Sequence, residues 1–137
     1  MSRIHVITFV AASIVAVGCE QATEPIENRF CVAETYPGLE VEVRDAATGR
    51  PLAATATGTA KTTVGVVFHR TITDTLGEYR VDSEMTPVSL AGANREGKHL
   101  VEITHAGYNT WIAQDVQVVL GECTFVTVHL SAFLVRQ

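Results

Sequence analysis

Leu39, Val41 and Val43 alternate with Glu40, Glu42 and Arg44. A period of two marks a strand with one buried and one wet face. Asp45 to Gly49 then reads as a turn in which Gly49 can take positive φ. The same grammar continues. Residues 52–58 place Leu52, Ala54 and Ala56 on one face, and these small side chains point to close approach of another layer. Residues 59–63 read as a polar link, and residues 64–73 as a β-rich run with Val64, Val66 and Phe68 on one parity. A turn at 74–77 leads to a short strand, 78–82, with Tyr79 and Val81 on one face. Residues 83–97 form the longest stretch without a pattern, and a loop of that length is commonly functional or mobile. Residues 98–105 are a strand with Val101 and Ile103 inward, followed by a corner at Ala106-Gly107-Tyr108. Residues 109–120 carry Trp111 and then Val116, Val118 and Leu120 in alternation; residues 123–134 close the sheet with Val126, Val128 and Leu130 on one face. No segment has an amphipathic helical period. The expectation is an all-β chain, a single seven-stranded Greek-key β-sandwich.

The chain has 137 residues and is 47% apolar, which suits one domain with a substantial core. Arg3 is the one charged residue among the first 18, so the remainder carries 9 basic and 15 acidic side chains, a net of −6. It has no basic run, and a nucleic-acid partner is not expected.

The N-terminus sets the expected location. After Arg3, residues 6–17 are an apolar run of about 12 residues, too short to span a bilayer and of the length of a signal-peptide core. Ala16-Val17-Gly18 precedes Cys19. This resembles a bacterial lipobox, in which cleavage before the cysteine leaves it carrying diacylglycerol. Ala16 stands where that motif usually has Leu, and Ala16-x-Gly18 also reads as an ordinary cleavage site. Glu20 rather than Asp after the cysteine points to the outer membrane, with a secreted or periplasmic protein as the alternative. The expected divisions are a signal peptide at 1–18, a lipidated tether at 19–30 and a domain at 31–137. Residues 20–30 reach roughly 35 Å at full stretch. Acylation of Cys19 would leave Cys31 and Cys123 to pair, which export permits.

VEVRDAATGRPLA, TDTLGEYRV, GKHLVEITHAGYNTW and VQVVLGECTFVTVHL, in that order, resemble the carboxypeptidase regulatory-like domain of the transthyretin-like (prealbumin) sandwich group. The resemblance covers residues 39–134. It implies left-handed turn positions at Gly49 and Gly77, and a corner at Gly107-Tyr108 whose phenol bonds backbone across a sheet connection. Small bacterial lipoproteins with this domain often carry one cysteine before the first strand and one opening the last, like Cys31 and Cys123. Such a bridge, 92 positions apart, contributes roughly 4–5 kcal/mol in the chain-entropy model. His99 departs from the family, which more often has an aromatic residue there. The resemblance carries no peptidase activity, since in the carboxypeptidases this domain is an appendage to a separate catalytic one.

Candidate chemistry is sparse. His99-Leu100-Val101-Glu102 matches the short zinc motif H-x-x-E, but on a strand positions i and i+3 face opposite ways. His69, His99, His105 and His129 include no closely spaced pair, so neither a metal nor a cofactor is expected. The ending Phe-Leu-Val-Arg-Gln differs from the Tyr-Arg-Gly-Ser tail of hydroxyisourate hydrolases, and the histidine spacing differs from that of intradiol dioxygenases. Trp111 and Arg95 are the candidate ligand contacts. The sequence reads as a non-catalytic, lipid-anchored cell-envelope protein, a structural or binding module for a protein or glycan. The alternative is a small enzyme or metal-binding protein on a transthyretin-like scaffold.

Overall fold

The computed structural model describes residues 36–65 and 69–137. The expected signal peptide, Cys19, the tether and Cys31 lie outside the described residues, as do Val66 and Phe68. Nine strands are described: β1 (Leu39–Asp45), β2 (Thr57–Val64), β3 (Arg70–Leu76), β4 (Glu78–Val81), β5 (Pro87–Gly92), β6 (Gly97–Thr104), β7 (Trp111–Leu120), β8 (Phe125–Val126) and β9 (Val128–Leu134). They form two sheets, ordered β4-β5-β1-β9 and β3-β2-β6-β7-β8, arranged as a sandwich. Among the described residues no helix is long and apolar enough to cross a membrane.

β1 is the inner strand around which the smaller sheet is built. It runs antiparallel to β5, with Val41 opposite Leu90, and parallel to β9 from the Leu39–Val128 pair to the Asp45–Leu134 pair. Its alternation works as the sequence implies: Leu39, Val41 and Val43 are buried, and Glu40, Glu42 and Arg44 face outward. In the larger sheet β6 buries Val101 and Ile103 against them. Full burial of a side chain of this size contributes about 1.5–3 kcal/mol.

The all-β sandwich is as expected, but the described residues form nine strands rather than seven. Most of the expected strand at 52–58 is not one: residues 52–56 lie outside any strand. Ala53–Thr55 is a single 3-10 turn, with Ala56 N–H donating to Leu52 O at 3.1 Å. The strand begins at Thr57 and includes the stretch read as a polar link. Its inward positions are Gly58, Ala60 and Thr62, which carry almost no hydrophobic signal. At Gly58 there is little room for a side chain: a Cβ there would lie 3.0 Å from both Ile103 Cδ1 and Leu76 Cδ1.

The stretch read as a long loop contains β5. Ser89, Leu90 and Ala91 are all buried, so the period of two is erased by cover on both faces. The irregular parts shrink to the β4–β5 hairpin tip, where Asp82 Oδ1 accepts from the N–H groups of Glu84 and Thr86, and to the short β5–β6 loop at residues 93–96. The last expected strand is also two. Thr127 Oγ1 donates to Pro37 O at 2.8 Å and Val128 N–H to Gly38 O at 2.9 Å, and there the chain leaves the larger sheet for the smaller. Gly49 and Gly107 take positive φ, 71° and 80°, but Gly77 does not, because β3 runs on to the buried Leu76.

Leu90→Ala separates a core strand from a loop. The structure predicts a loss of about 2–5 kcal/mol in denaturant unfolding. A change within about 0.5 kcal/mol, as at exposed sites, would return residues 83–97 to an irregular segment.

Candidate functional site

β1 carries its alternation one step beyond the apolar residues and so buries Asp45. A carboxylate in that position needs hydrogen bonds on both oxygens. Oδ1 accepts from the backbone N–H groups of Ala47 and Thr48, at 2.8 and 3.0 Å, which folds the following turn. Oδ2 accepts from Tyr108 Oη at 2.6 Å and from Arg136 Nε and Nη2 at 3.2 and 3.1 Å. The Arg136 guanidinium lies 5.6 Å from the Tyr108 ring centre, and the His105 ring meets Tyr108 edge-on at 4.9 Å.

The backbone follows the side chains. Ala46 N–H donates to Leu134 O, Asn109 N–H to Val135 O and Gln137 N–H to Gly107 O. Three distant segments, the end of β1, the β6–β7 turn and the chain after β9, are thereby joined. Tyr108 therefore binds a carboxylate rather than the backbone acceptor expected for its corner. Arg136 was not singled out by the sequence. The available signal was Asp45 itself, an acid on the apolar parity of a strand.

The hydrogen bond from Tyr108 holds the Asp45 carboxyl far below the usual carboxylate range. The turn N–H groups and Arg136 act the same way, outweighing burial. In turn the Asp45 bond, with burial, raises the Tyr108 phenol, and Asp45 raises Arg136. All three groups are locked in one protonation state at neutral pH. With two donors on Oδ1 and three on Oδ2, Asp45 has no lone pair directed at a substrate. The cluster suits structure, not proton transfer.

The candidate ligand residues are apart. Arg95, in the β5–β6 loop, places Nε 3.6 Å from Asp74 Oδ2 on β3. Both atoms are buried without a hydrogen bond. They line a groove of about 330 Å³ with Glu78, Gly92 and Asn94. Trp111 does not line that groove. It opens β7 opposite Ile103 and packs, partly buried, against the core. Cys123, in the bend between β7 and β8, is exposed and is engaged rather than free.

The histidines are dispersed. His99 is buried, with Nδ1 donating to Gly97 O at 3.0 Å and Nε2 without a partner. Glu102 lies on the opposite face and pairs with Lys61. His105 Nδ1 faces Ala106 O, and its Nε2 meets Thr55 Oγ1 at 2.7 Å. His129 stands 3.7 Å from Glu40 on the outer face of the smaller sheet. Among the described residues no three His, Cys, Asp or Glu side chains come together as a metal site. A wider groove of about 630 Å³ lies over a bulge where Leu100 faces Gln114 and Asp115, and its rim carries Lys61, Lys98 and Asp115.

Two outcomes test the Asp45 cluster. Tyr108→Phe lowers the thermal midpoint at pH 7 by on the order of 5–10 °C. Because the folded carboxyl is depressed, its contribution is complete above the unfolded value of about 4 and is lost as pH falls through the folded one. The stability advantage of the wild type over Asp45→Asn is therefore constant from pH 7 to about 5 and shrinks below about 4, as measured by denaturant titrations across pH.

No protein-family model matches the chain, and no curated protein matches it closely enough to count as a relative.

Proposed function

We propose that this chain is a non-catalytic, lipid-anchored protein of the cell envelope, at the outer membrane, whose sandwich is a carboxypeptidase regulatory-like module. It serves as a structural or binding domain for a protein or glycan. The observation that carries the non-catalytic reading is the saturation of Asp45: the most strongly perturbed ionisable groups bond one another and close the sandwich.

The family reading is supported by the two-sheet architecture, the Asp45–Gly49 turn and the Gly107-Tyr108 corner. The anchor is supported by the apolar run and the Ala16-Val17-Gly18-Cys19 sequence. A disulfide between Cys31 and Cys123 belongs to the same reading. Cys123 is engaged, and with Cys19 acylated the remaining cysteine is Cys31. The groove beside Arg95 and Asp74 is the candidate contact for a partner, since a half-exposed guanidinium there retains free N–H donors.

Intact mass of the protein from the membrane fraction tests the reading. The expected species begins at Cys19, carries acyl chains and gains the mass of two hydrogen atoms on reduction. A chain that still begins at Met1, or one without acyl mass, refutes the anchor.

A further inference from the structure

The hairpin joining β7 to β8 turns apolar side chains to the outside. Val119 and Val126 are opposite one another, so their side chains share a face. They are 44% and 59% exposed, and Leu120 is 52% exposed. Phe125, across from Leu120, packs instead against the core and fixes the hairpin to the sandwich. Gly121 N–H donates to Thr124 O at 2.8 Å and closes the turn. Glu122 is the one charged residue between Val116 and Val128.

The chain enters the sandwich at this same place. Tyr36, 50% exposed, donates its N–H to Thr124 Oγ1 at 2.9 Å. Cys19 lies 17 positions earlier, a reach of at most about 60 Å at 3.3–3.6 Å per residue. The segment that leads back to the anchor therefore leaves the described sandwich beside this hairpin.

We propose that the tip of the β7–β8 hairpin, with Val119 and Val126 on one face and Leu120 on the other, dips beside Tyr36 into a zwitterionic phospholipid surface and holds the sandwich against the membrane that carries its anchor. This rests on the lipoprotein reading above. Aliphatic side chains beside a tyrosine are the composition that partitions to the bilayer interface. The patch is too small to bind a membrane strongly alone, but an anchor in the same bilayer makes the contact intramolecular. The near absence of charge on the hairpin, and a net of −6 on residues 19–137, favour neutral headgroups over anionic ones.

The chain has a single tryptophan, Trp111, at the far end of β7, about 30 Å from Leu120 at roughly 3.3 Å per residue. It is a built-in control. The test reconstitutes the full acylated protein and its Leu120→Trp variant in phosphatidylcholine vesicles, with plain or brominated acyl chains. Matching β-sheet circular dichroism establishes that the variant is folded. The emission added by the substitution should fall at least twofold in brominated vesicles, while that of the unsubstituted protein changes little. Val126→Asp in the Leu120→Trp background should abolish the quenching. Equal emission in both vesicles from an acylated, vesicle-bound variant overturns the proposal and leaves the lipoprotein reading intact. A dimer in solution that buries the hairpin also overturns it. A chain without acyl mass overturns the lipoprotein reading and this proposal with it.

Discussion

One buried carboxylate organises the described part of this protein. Strand alternation carries Asp45 into the interior, where an unpaired charge would be prohibitive. Five donors answer it: two from the turn that Asp45 itself folds, one from Tyr108 and two from Arg136. Those partners are 63 and 91 positions away in the chain. Meeting the demand therefore closes the sandwich, joining the hub strand of the smaller sheet to the β6–β7 turn and to the segment after β9. Gly49 and Gly107, both at positive φ, shape the two turns that make this meeting possible.

How much of this was legible depended on whether one face of a strand is wet. β1 and β6 alternate cleanly because charged residues mark their outer faces, so both could be read directly. β2 could not, because its inner face is Gly58, Ala60 and Thr62, chosen for close approach rather than for hydrophobicity. β5 was hidden for the opposite reason, with Ser89, Leu90 and Ala91 covered on both sides. The crossing at Thr127 leaves no periodic trace, since it depends on Thr127 and Val128 bonding the backbone of Pro37 and Gly38.

Site residues followed the same logic. The Gly107-Tyr108 corner was visible from local sequence, but its acceptor was not. The Asp45–Arg136 pair and the Arg95–Asp74 pair are long-range, and a single sequence encodes no distance between such positions. Asp45 on an apolar parity was the one hint that a cationic or phenolic partner had to exist. In the functional reading proposed here, that ionic centre belongs to the frame, and recognition falls to the periphery: the Arg95 groove and the β7–β8 hairpin.

Whether Tyr108 and Arg136 hold the buried carboxylate is read by titrating the Asp45 side-chain carboxyl carbon by NMR in the full-length protein. This carbon should keep the chemical shift of the ionised form as the pH is lowered through the ordinary carboxylate range near about 4. An Asp45 carboxyl that takes up its proton within that ordinary range would contradict this picture. The carboxylate would then not be held by Tyr108 and Arg136, and the closure of the sandwich would need another cause.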